Sequence, residues 1–175
     1  MTVTPKMKKI AAGALIYALI FAVLRLFVDP SGSDAALMDH FQRHRGDFER
    51  LRQMAIADGL KRRIGADYVD DKRLPPERVE EYRRLMKELG ITILSVSSDK
   101  QMGFMMKEWG NFFVGGGGKA IVYYPNPPKI PIARSLDRSC LSVLSRIPGS
   151  ISDQTACTAV RPMEDNWWLY RADSL

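Results

Sequence analysis

The chain has 175 residues, with 26 lysines and arginines against 20 aspartates and glutamates, a net charge of +6 and a pI near 9.4. Four basic residues and no acidic one lie in the first 28 positions, whereas the remainder holds 22 basic and 20 acidic side chains. Without a long basic run or a nucleic-acid-binding motif in that remainder, the charge argues against a nucleic-acid partner, and the length suits one domain plus an appendage.

An uncharged apolar stretch begins at residue 10 and, apart from Arg25, continues to residue 28. Its 19 residues would rise about 28 Å as a helix, close to the hydrocarbon thickness of a bilayer. Three lysines precede it and Asp29 follows it, so the positive-inside rule predicts a single-pass protein of a bacterial inner membrane, with residues 1–9 cytoplasmic. Residues 34–175 would form a periplasmic domain. The anchor is marked by Ile10, Leu15, Ile20, Leu24 and Val28.

Two other interpretations of this stretch stay open. A signal peptide could be cut after the small residues 31–33, which would release the domain from the bilayer. The stretch could also be a buried helix of a soluble protein. The length of the apolar run favours an uncleaved signal anchor.

The first half of the domain is predicted to hold two amphipathic helices. Residues 35–58 carry an apolar stripe at spacings of three and four and stop at Gly59, whereas Pro75-Pro76 and Gly90 bracket the second helix. The intervening residues 61–73 are polar and irregular in pattern, with Tyr68 and Val69 as expected buried anchors. The first stripe contains Leu37, Phe41, His44, Phe48, Leu51 and Ala55. The second contains Val79, Tyr82, Leu85, Met86 and Leu89.

The second half of the domain has the composition of β-strands. Strands are predicted at 91–96 and 102–109, at 111–114 and 119–124, and at 155–161 and 167–171, with turns at 97–100 and 164–166. Residues 132–155 are harder to assign, with a short helix near 135–145. The chain therefore predicts an α+β domain in which two helices pack on an antiparallel β-meander.

Four consecutive glycines at 115–118 precede Lys119 and invite comparison with a phosphate-binding loop. In that motif the first glycine would fall on Phe113 and the magnesium-binding hydroxyl on Ala120, so both defining positions fail. Ala120 to Tyr124 also has strand composition instead of opening a helix. We interpret the glycines as a flexible connection between two strands.

Cys140 and Cys157 are the two cysteines of the chain, with 16 residues between them. An even count in an exported domain permits one disulfide, which would contribute about 3 kcal/mol in the chain-entropy model. Two buried free thiols are the alternative.

His40 and His44 are four residues apart on the first predicted helix, a spacing that can bind zinc. The position of a metalloprotease glutamate is Phe41, and neighbouring arginines would repel a cation. A hydrogen-bonded core histidine is the more ordinary interpretation of His44. We predict no metal site and no cofactor.

Residues 166–170 read Asn-Trp-Trp-Leu-Tyr. In a strand, Trp167 and Leu169 would face one side, and Trp168 and Tyr170 the other. One side should be core, and the other is either covered as well or a partner surface, since exposed aromatic side chains mark binding surfaces. Trp168 and Tyr170 are therefore the candidate binding residues.

Four short motifs follow one another between residues 36 and 171. They are His40-Phe41-x-x-His44-Arg45-x-x-Phe48-Glu49; Pro76-Glu77-Arg78 through Glu81-Tyr82-Arg83 to Leu89-Gly90; Gly118-Lys119-Ala120 before Tyr123-Tyr124 and Pro127-Pro128; and Glu164-x-Asn166-Trp167-x-Leu169-Tyr170. This order resembles a group of small exported proteobacterial proteins of unknown function, which carry a membrane anchor or lipoprotein signal and a small α+β domain. The resemblance implies extracytoplasmic placement and assigns no activity. This chain departs from the group by lacking a lipobox cysteine and by its long stretch at 139–155.

Because no catalytic motif withstands these tests, the sequence favours a non-enzymatic binding or accessory module. It would be held at the lipid bilayer and would contact a protein partner in the cell envelope, for example as an immunity-type inhibitor. The alternative is a periplasmic hydrolase of the cell-wall type that uses His44 and dispersed carboxylates.

Overall fold

The computed structural model describes residues 32–97, 99–111, 115–138 and 156–174, which form an α+β domain. Two helices and one six-stranded antiparallel sheet make up the described part of the chain. The helices are α1 (Asp34–Ala57) and α2 (Pro76–Glu88). The strands are β1 (Arg63–Gly65), β2 (Ile93–Val96), β3 (Met102–Asn111), β4 (Gly115–Tyr123), β5 (Ala156–Glu164) and β6 (Trp167–Ser174).

Both predicted helices are confirmed, and their ends have local causes. The Ser33 hydroxyl accepts a hydrogen bond from the backbone N–H of Ala36 and so caps α1. Pro76 begins α2, where its missing N–H costs no helical hydrogen bond. Gly59 and Gly90 follow the two helices with φ of +59° and +66°, a conformation that glycine adopts without steric cost.

The strand order is one departure from the predicted meander. The order is β1-β2-β3-β4-β6-β5, so β6 lies between β4 and β5. The hairpin of β5 and β6 turns at Asp165 and Asn166, whose φ values of 42° and 69° suit a tight two-residue turn. A long segment separates β4 from β5 in the chain, and this length allows the second strand of the hairpin to pair with β4.

A short edge strand lies in the segment that was predicted to be irregular. Strand β1 pairs with β2, and Ile64 is its fully buried residue. Tyr68 and Val69, which we expected to be the buried anchors, are only half-buried. Three residues are too few to show the alternation that identifies a strand, which explains the error.

The glycines at 115–118 belong to strand β4, so the prediction of a flexible connection is wrong. Gly116, Gly117 and Gly118 pair with β3 on one side and with β6 on the other. A Cβ on Gly118 would come within 2.9 Å of the Lys107 carbonyl oxygen and of the Met105 sulfur. Glycine therefore permits a close approach of neighbouring backbone at the β-bulge between Met105 and Lys107.

Both helices pack on one face of the sheet, which we call the helix face. Four aromatic rings form its centre, with Phe41 and Phe48 from α1, Phe104 from β3 and Trp167 from β6. The ring centroids of Phe104 and Trp167 are 5.5 Å apart. Most of the buried apolar side chains of the described residues belong to the core that surrounds these rings on the helix face.

The segment after β4 crosses to the outer edge of the sheet and returns to the helix face. Ile132 forms a parallel bridge with Val160 of β5, and Ala133 and Leu136 are buried in the helix-face core. Residues 135–138 are not helical, whereas the rest of the helix predicted near 135–145 lies outside the described residues.

Neither described helix has the length and apolar character needed to cross a bilayer. The predicted anchor at residues 10–28 lies outside the described residues and stays a prediction.

Candidate functional site

The second face of the sheet, which we call the open face, carries two rows of side chains set by strand register. The first row reads Ser95, Gly103, Val122, Trp168 and Pro162 across β2, β3, β4, β6 and β5. The second row reads Ile93, Met105, Ala120, Tyr170 and Val160 across the same strands. Over the middle strands β3 and β4 these positions are small or aliphatic apart from Met105, and they become aromatic at β6.

A cavity of about 570 Å³ lies over the small residues of the open face. Gly103 and Ala120 contribute to its lining, and Tyr124, Tyr170 and Ile130 are among the large side chains around it. The other long side chains of the lining are Arg63, Ile93, Gln101 and Met105. The cavity exists because Gly103 and Ala120 have little or no side chain and leave space beside larger neighbours. It can accept an apolar or aromatic group and offer phenolic hydroxyls at its edge.

The aromatic residues beside this cavity are packed but not sealed. Tyr124 is buried, and its ring meets Trp168 edge-on at a centroid distance of 6.5 Å. Burial raises the pKa of Tyr170, and burial together with the charges of Tyr170 and Asp99 raises the pKa of Tyr124 to about 12. Both phenols are therefore neutral hydrogen-bond donors at physiological pH.

Trp168 and Tyr170 lie where the alternation of β6 predicts. Trp167 and Leu169 are buried in the helix face, whereas Trp168 and Tyr170 are half-buried on the open face with Val122 and Val160. The structure thus brings both candidate binding residues to one surface. Their role in binding stays a prediction.

Ile132 extends the same surface, and the sequence pattern did not identify it. Its bridge partner Val160 faces the open side, and paired residues point to the same side of a sheet. Ile132 is 65% exposed, and Ile56 at 50% is the other large, exposed hydrophobic residue among those described. No strand pattern surrounds Ile132, because it lies among prolines.

A buried charge cluster on the helix face was also missed. Lys119 is 2% exposed, and its Nζ lies 2.8 Å from carboxylate oxygens of both Asp34 and Asp137. Asp34 is 1% exposed, pairs with Arg161 at 3.1 Å and accepts a hydrogen bond from the backbone N–H of Leu136. The cluster joins the start of α1 to β4, β5 and the segment after β4.

The acid–base properties of this cluster are consistent with a structural role. Burial acts to raise the pKa of Asp137, but hydrogen bonds from Lys119 and from the Asp34 backbone N–H outweigh it and lower that pKa. Buried charges with this many partners hold segments in register, and the loss of one partner is costly. The sequence signal was the position of Lys119, which has the same strand parity as the core residue Ile121.

His44 is not the core residue that the helical stripe predicted. Its φ of −115° and ψ of 17° interrupt α1, and its side chain is 37% exposed with Nδ1 3.5 Å from Asp47. His40 Nε2 lies 3.0 Å from the Leu89 carbonyl oxygen, and the two imidazole centroids are 4.7 Å apart. His44 therefore lies at the edge of the core, beside His40 and Asp47.

The described residues supply no arrangement that favours the hydrolase alternative. His44 lines neither the open-face cavity nor the larger cavity near the end of α1. Within the same residues, no group of three histidine, cysteine or acidic side chains is placed to hold a metal ion.

Cys157 is buried on the helix face, and the described part of the chain contains no free cysteine. Cys140 lies outside the described residues, so its pairing with Cys157 stays a prediction.

No protein-family model, curated protein or solved structure matches this chain.

Proposed function

We propose that this chain is a membrane-anchored periplasmic binding module that covers the surface of a protein partner in the cell envelope. The contact surface is the open face around Trp168, Tyr170 and Ile132. One observation carries the proposal: both helices pack on the helix face, and the opposite face presents aromatic and aliphatic side chains that remain partly accessible. An immunity-type inhibitor or an envelope accessory protein would act in this way.

The composition of the open face suits protein recognition. Half-buried aromatic side chains supply a large apolar area with few rotatable bonds, and their polar edges give hydrogen bonds at the rim. Trp168 and Tyr170 are held by neighbours on β4 and β5, so little side-chain entropy would be lost on binding. A loop or apolar side chain of the partner would fill the cavity beside Tyr170 and Tyr124.

The test is in-cell cross-linking of the full chain in cells that produce it naturally, followed by affinity measurement with the partner obtained. We expect Ile132→Ser, Trp168→Ala and Tyr170→Ala to weaken the complex, each by about 1 kcal/mol or more as interface aromatic and apolar contacts are lost. Ile132→Ser is the sharpest variant, because a side chain that is 65% exposed contributes little to folding.

The matched control is Ile56→Ser, which removes a similarly exposed isoleucine from the helix side of the molecule. Equal affinity of all three open-face variants and the parent chain for every partner would contradict the proposal. Equal weakening by Ile56→Ser would show that the effect is not specific to the open face.

The membrane placement is part of this proposal and is supported by residues 10–28 and the basic residues before them. Its test is the intact mass of membrane-extracted protein, with thiols alkylated before and after reduction. Full-length protein that takes label only after reduction agrees with an anchor, an oxidising compartment and the Cys140–Cys157 disulfide. Loss of about 33 residues would contradict the anchor in favour of a cleaved signal peptide.

A further inference from the structure

A second cavity, of about 670 Å³, lies between the C-terminal end of α1 and the β2–β3 hairpin. We call it the basic cavity. Ile56, which is 50% exposed, lines this cavity together with Pro125, which follows β4 in the chain. Its apolar lining consists of Ala55, Ile56, Leu60, Val96, Met102 and Pro125. An exposed isoleucine beside such a lining indicates a surface that an apolar ligand could cover.

All the charged residues that line the basic cavity are cations, namely Arg52, Lys61 and Lys100. Arg52 is engaged, because it pairs with Glu49 and lies over the Tyr123 ring at 4.4 Å from the centroid. Lys61 and Lys100 are exposed, and among the described residues neither ammonium group forms an ion pair. Within the described part of the chain, two lysines without an ion pair thus lie at the edge of an apolar cavity.

Two carboxylates lie near these lysines in the chain, but neither lines the basic cavity. Asp99, adjacent to Lys100, is held in the hairpin turn by hydrogen bonds from the Ser97 hydroxyl and the Gln101 amide. Asp71, which accepts a hydrogen bond from the Lys61 backbone N–H, forms its ion pair with Arg73. The end of α1 would contribute partial negative charge, yet its last carbonyl groups accept hydrogen bonds from the backbone N–H groups of 58–60. The turn conformation of Lys100, with φ of 65°, fixes its backbone at the hairpin tip.

We propose that the basic cavity binds an anionic amphiphile, a ligand with one carboxylate or phosphate group on an apolar body. The anionic group would accept hydrogen bonds from Lys61 and Lys100, and the apolar body would cover Ile56, Met102 and Pro125. A purely polar anion would leave Ile56 exposed, and a neutral apolar ligand would leave both ammonium groups unpaired. Only a ligand that has both an anionic group and an apolar body would contact the whole site. The ligand could be a free amphiphile or, if the proposed membrane anchor is correct, an anionic lipid of that bilayer, and both present the same chemistry.

The experiment uses the full chain in phosphatidylcholine nanodiscs and a twelve-carbon carboxylate that carries a photoreactive diazirine. After illumination, mass spectrometry locates the labelled peptides. We expect label at peptides containing Ile56, Met102 or Pro125, with competition by unlabelled dodecanoate and by dodecyl phosphate. Dodecyltrimethylammonium and acetate should compete at least tenfold less well, since each lacks one half of the required chemistry.

Two pairs of variants test the role of the two lysines, and each pair removes the same net charge. Lys61→Gln with Lys100→Gln should reduce labelling at the cavity on the order of tenfold, because hydrogen bonds to charged groups are lost at both positions. Lys72→Gln with Lys87→Gln removes two exposed lysines outside the cavity and should leave labelling unchanged. Partition of the probe into the nanodisc is the same for both pairs.

The source of the ligand is separated by lipid composition. If nanodiscs with phosphatidylglycerol suppress labelling at the cavity, the bilayer supplies the amphiphile; if they do not, a free amphiphile is the ligand. The proposal is overturned if the probe labels no cavity peptide, if dodecyltrimethylammonium competes equally, or if the two lysine pairs reduce labelling equally. None of these results depends on the protein partner of the open face.

Discussion

Two adjacent tryptophans illustrate the difference between the faces of the sheet. Trp167 is 3% exposed and contacts aromatic rings from α1, β3 and β4 on the helix face. Trp168 is half-buried on the open face, with Tyr124 as its aromatic neighbour. The same residue type therefore serves the core in one position and remains available for binding in the next.

The charges differ between the faces as well. The helix face buries Lys119, Asp34 and Asp173, whereas the buried side chains of the open-face cluster are all uncharged or phenolic. A buried ion cluster is tolerated only where several partners converge, and α1 and the segment after β4 provide them on one side of the sheet. The face that the two helices cover therefore holds the larger core, whatever the composition of the strands.

The largest expected effect separates the two tryptophans directly. Trp167→Ala should lower the free energy of unfolding by about 3–5 kcal/mol, because it leaves a cavity among four aromatic rings. Trp168→Ala should lower it by about 1–2 kcal/mol, since part of its surface is already in water. Chemical denaturation of the two variants measures both, and equal losses would refute the distinction between the faces.

The buried charge cluster should be almost as sensitive. Lys119→Met should lower the free energy of unfolding by about 3 kcal/mol, because Asp34 and Asp137 lose their shared cation and Asp34 is deeply buried. Lys129→Met, at an exposed lysine, should change it by less than about 0.5 kcal/mol. A neutral effect of Lys119→Met in the same denaturation measurement would show that Arg161, with the hydrogen bonds from Ser135 and Leu136, is sufficient for Asp34.

Two glycines should respond differently to one added methyl group. Gly118→Ala should destabilise by about 1–3 kcal/mol, because its Cβ would lie 2.9 Å from the Lys107 carbonyl oxygen, which belongs to the backbone. In Gly103→Ala the Cβ would lie 2.8 Å from the Ser95 hydroxyl, which can rotate, so the cost should stay below about 1 kcal/mol. Gly103→Ala should also weaken partner binding, since it fills the floor of the open-face cavity. Thermal melting and the affinity assay check the two expectations separately.

The smallest expected effects are those of pH on the free energy of unfolding. They appear at acidic pH for Asp137 of the buried charge cluster and at alkaline pH for Tyr124 of the open face. The pKa of Asp137 is lowered in the folded chain, so its contribution to stability is present above about pH 4 and is lost as pH falls below that. The pKa of Tyr124 is raised to about 12, so its contribution is present below about pH 10 and is lost as pH rises towards 12.

Denaturation across pH tests these signs. Asp137→Asn should flatten the acid side of the stability profile, and Tyr124→Phe should flatten its alkaline side. If either variant changed the opposite side instead, the sign of the corresponding pKa shift would be wrong.

Much of the fold could be predicted from local patterns. The stripe from Leu37 to Ala55 predicted α1, Pro76 and Gly90 predicted the limits of α2, and residues 164–166 predicted the turn of the last hairpin. These signals are local, since each depends on neighbours within one or two turns of chain. Strand β1 failed the same test because it is stabilised by its pairing with β2 and not by its own three residues.

The candidate site was predicted only in part. The alternation around Trp168 and Tyr170 placed both on one face, whereas Ile132 and the cavity over Gly103 and Ala120 came from register across strands that are distant in sequence. The basic cavity likewise depends on Lys61 and Lys100, which are distant in sequence and line the same cavity. The pattern of residues along the chain does not show which distant residues come together in the fold.

The sequence by itself determined the α+β class, the two helices and the opposite faces of Trp167 and Trp168, because these follow from residue spacing and backbone preference. Tertiary structure decided the rest. It placed β6 between β4 and β5, drew the glycines at 115–118 into a paired strand and buried Lys119 against Asp34. The physical reason is that strand pairing, close backbone approach and charge burial are energies of contact between distant residues, which exist only once the chain has folded.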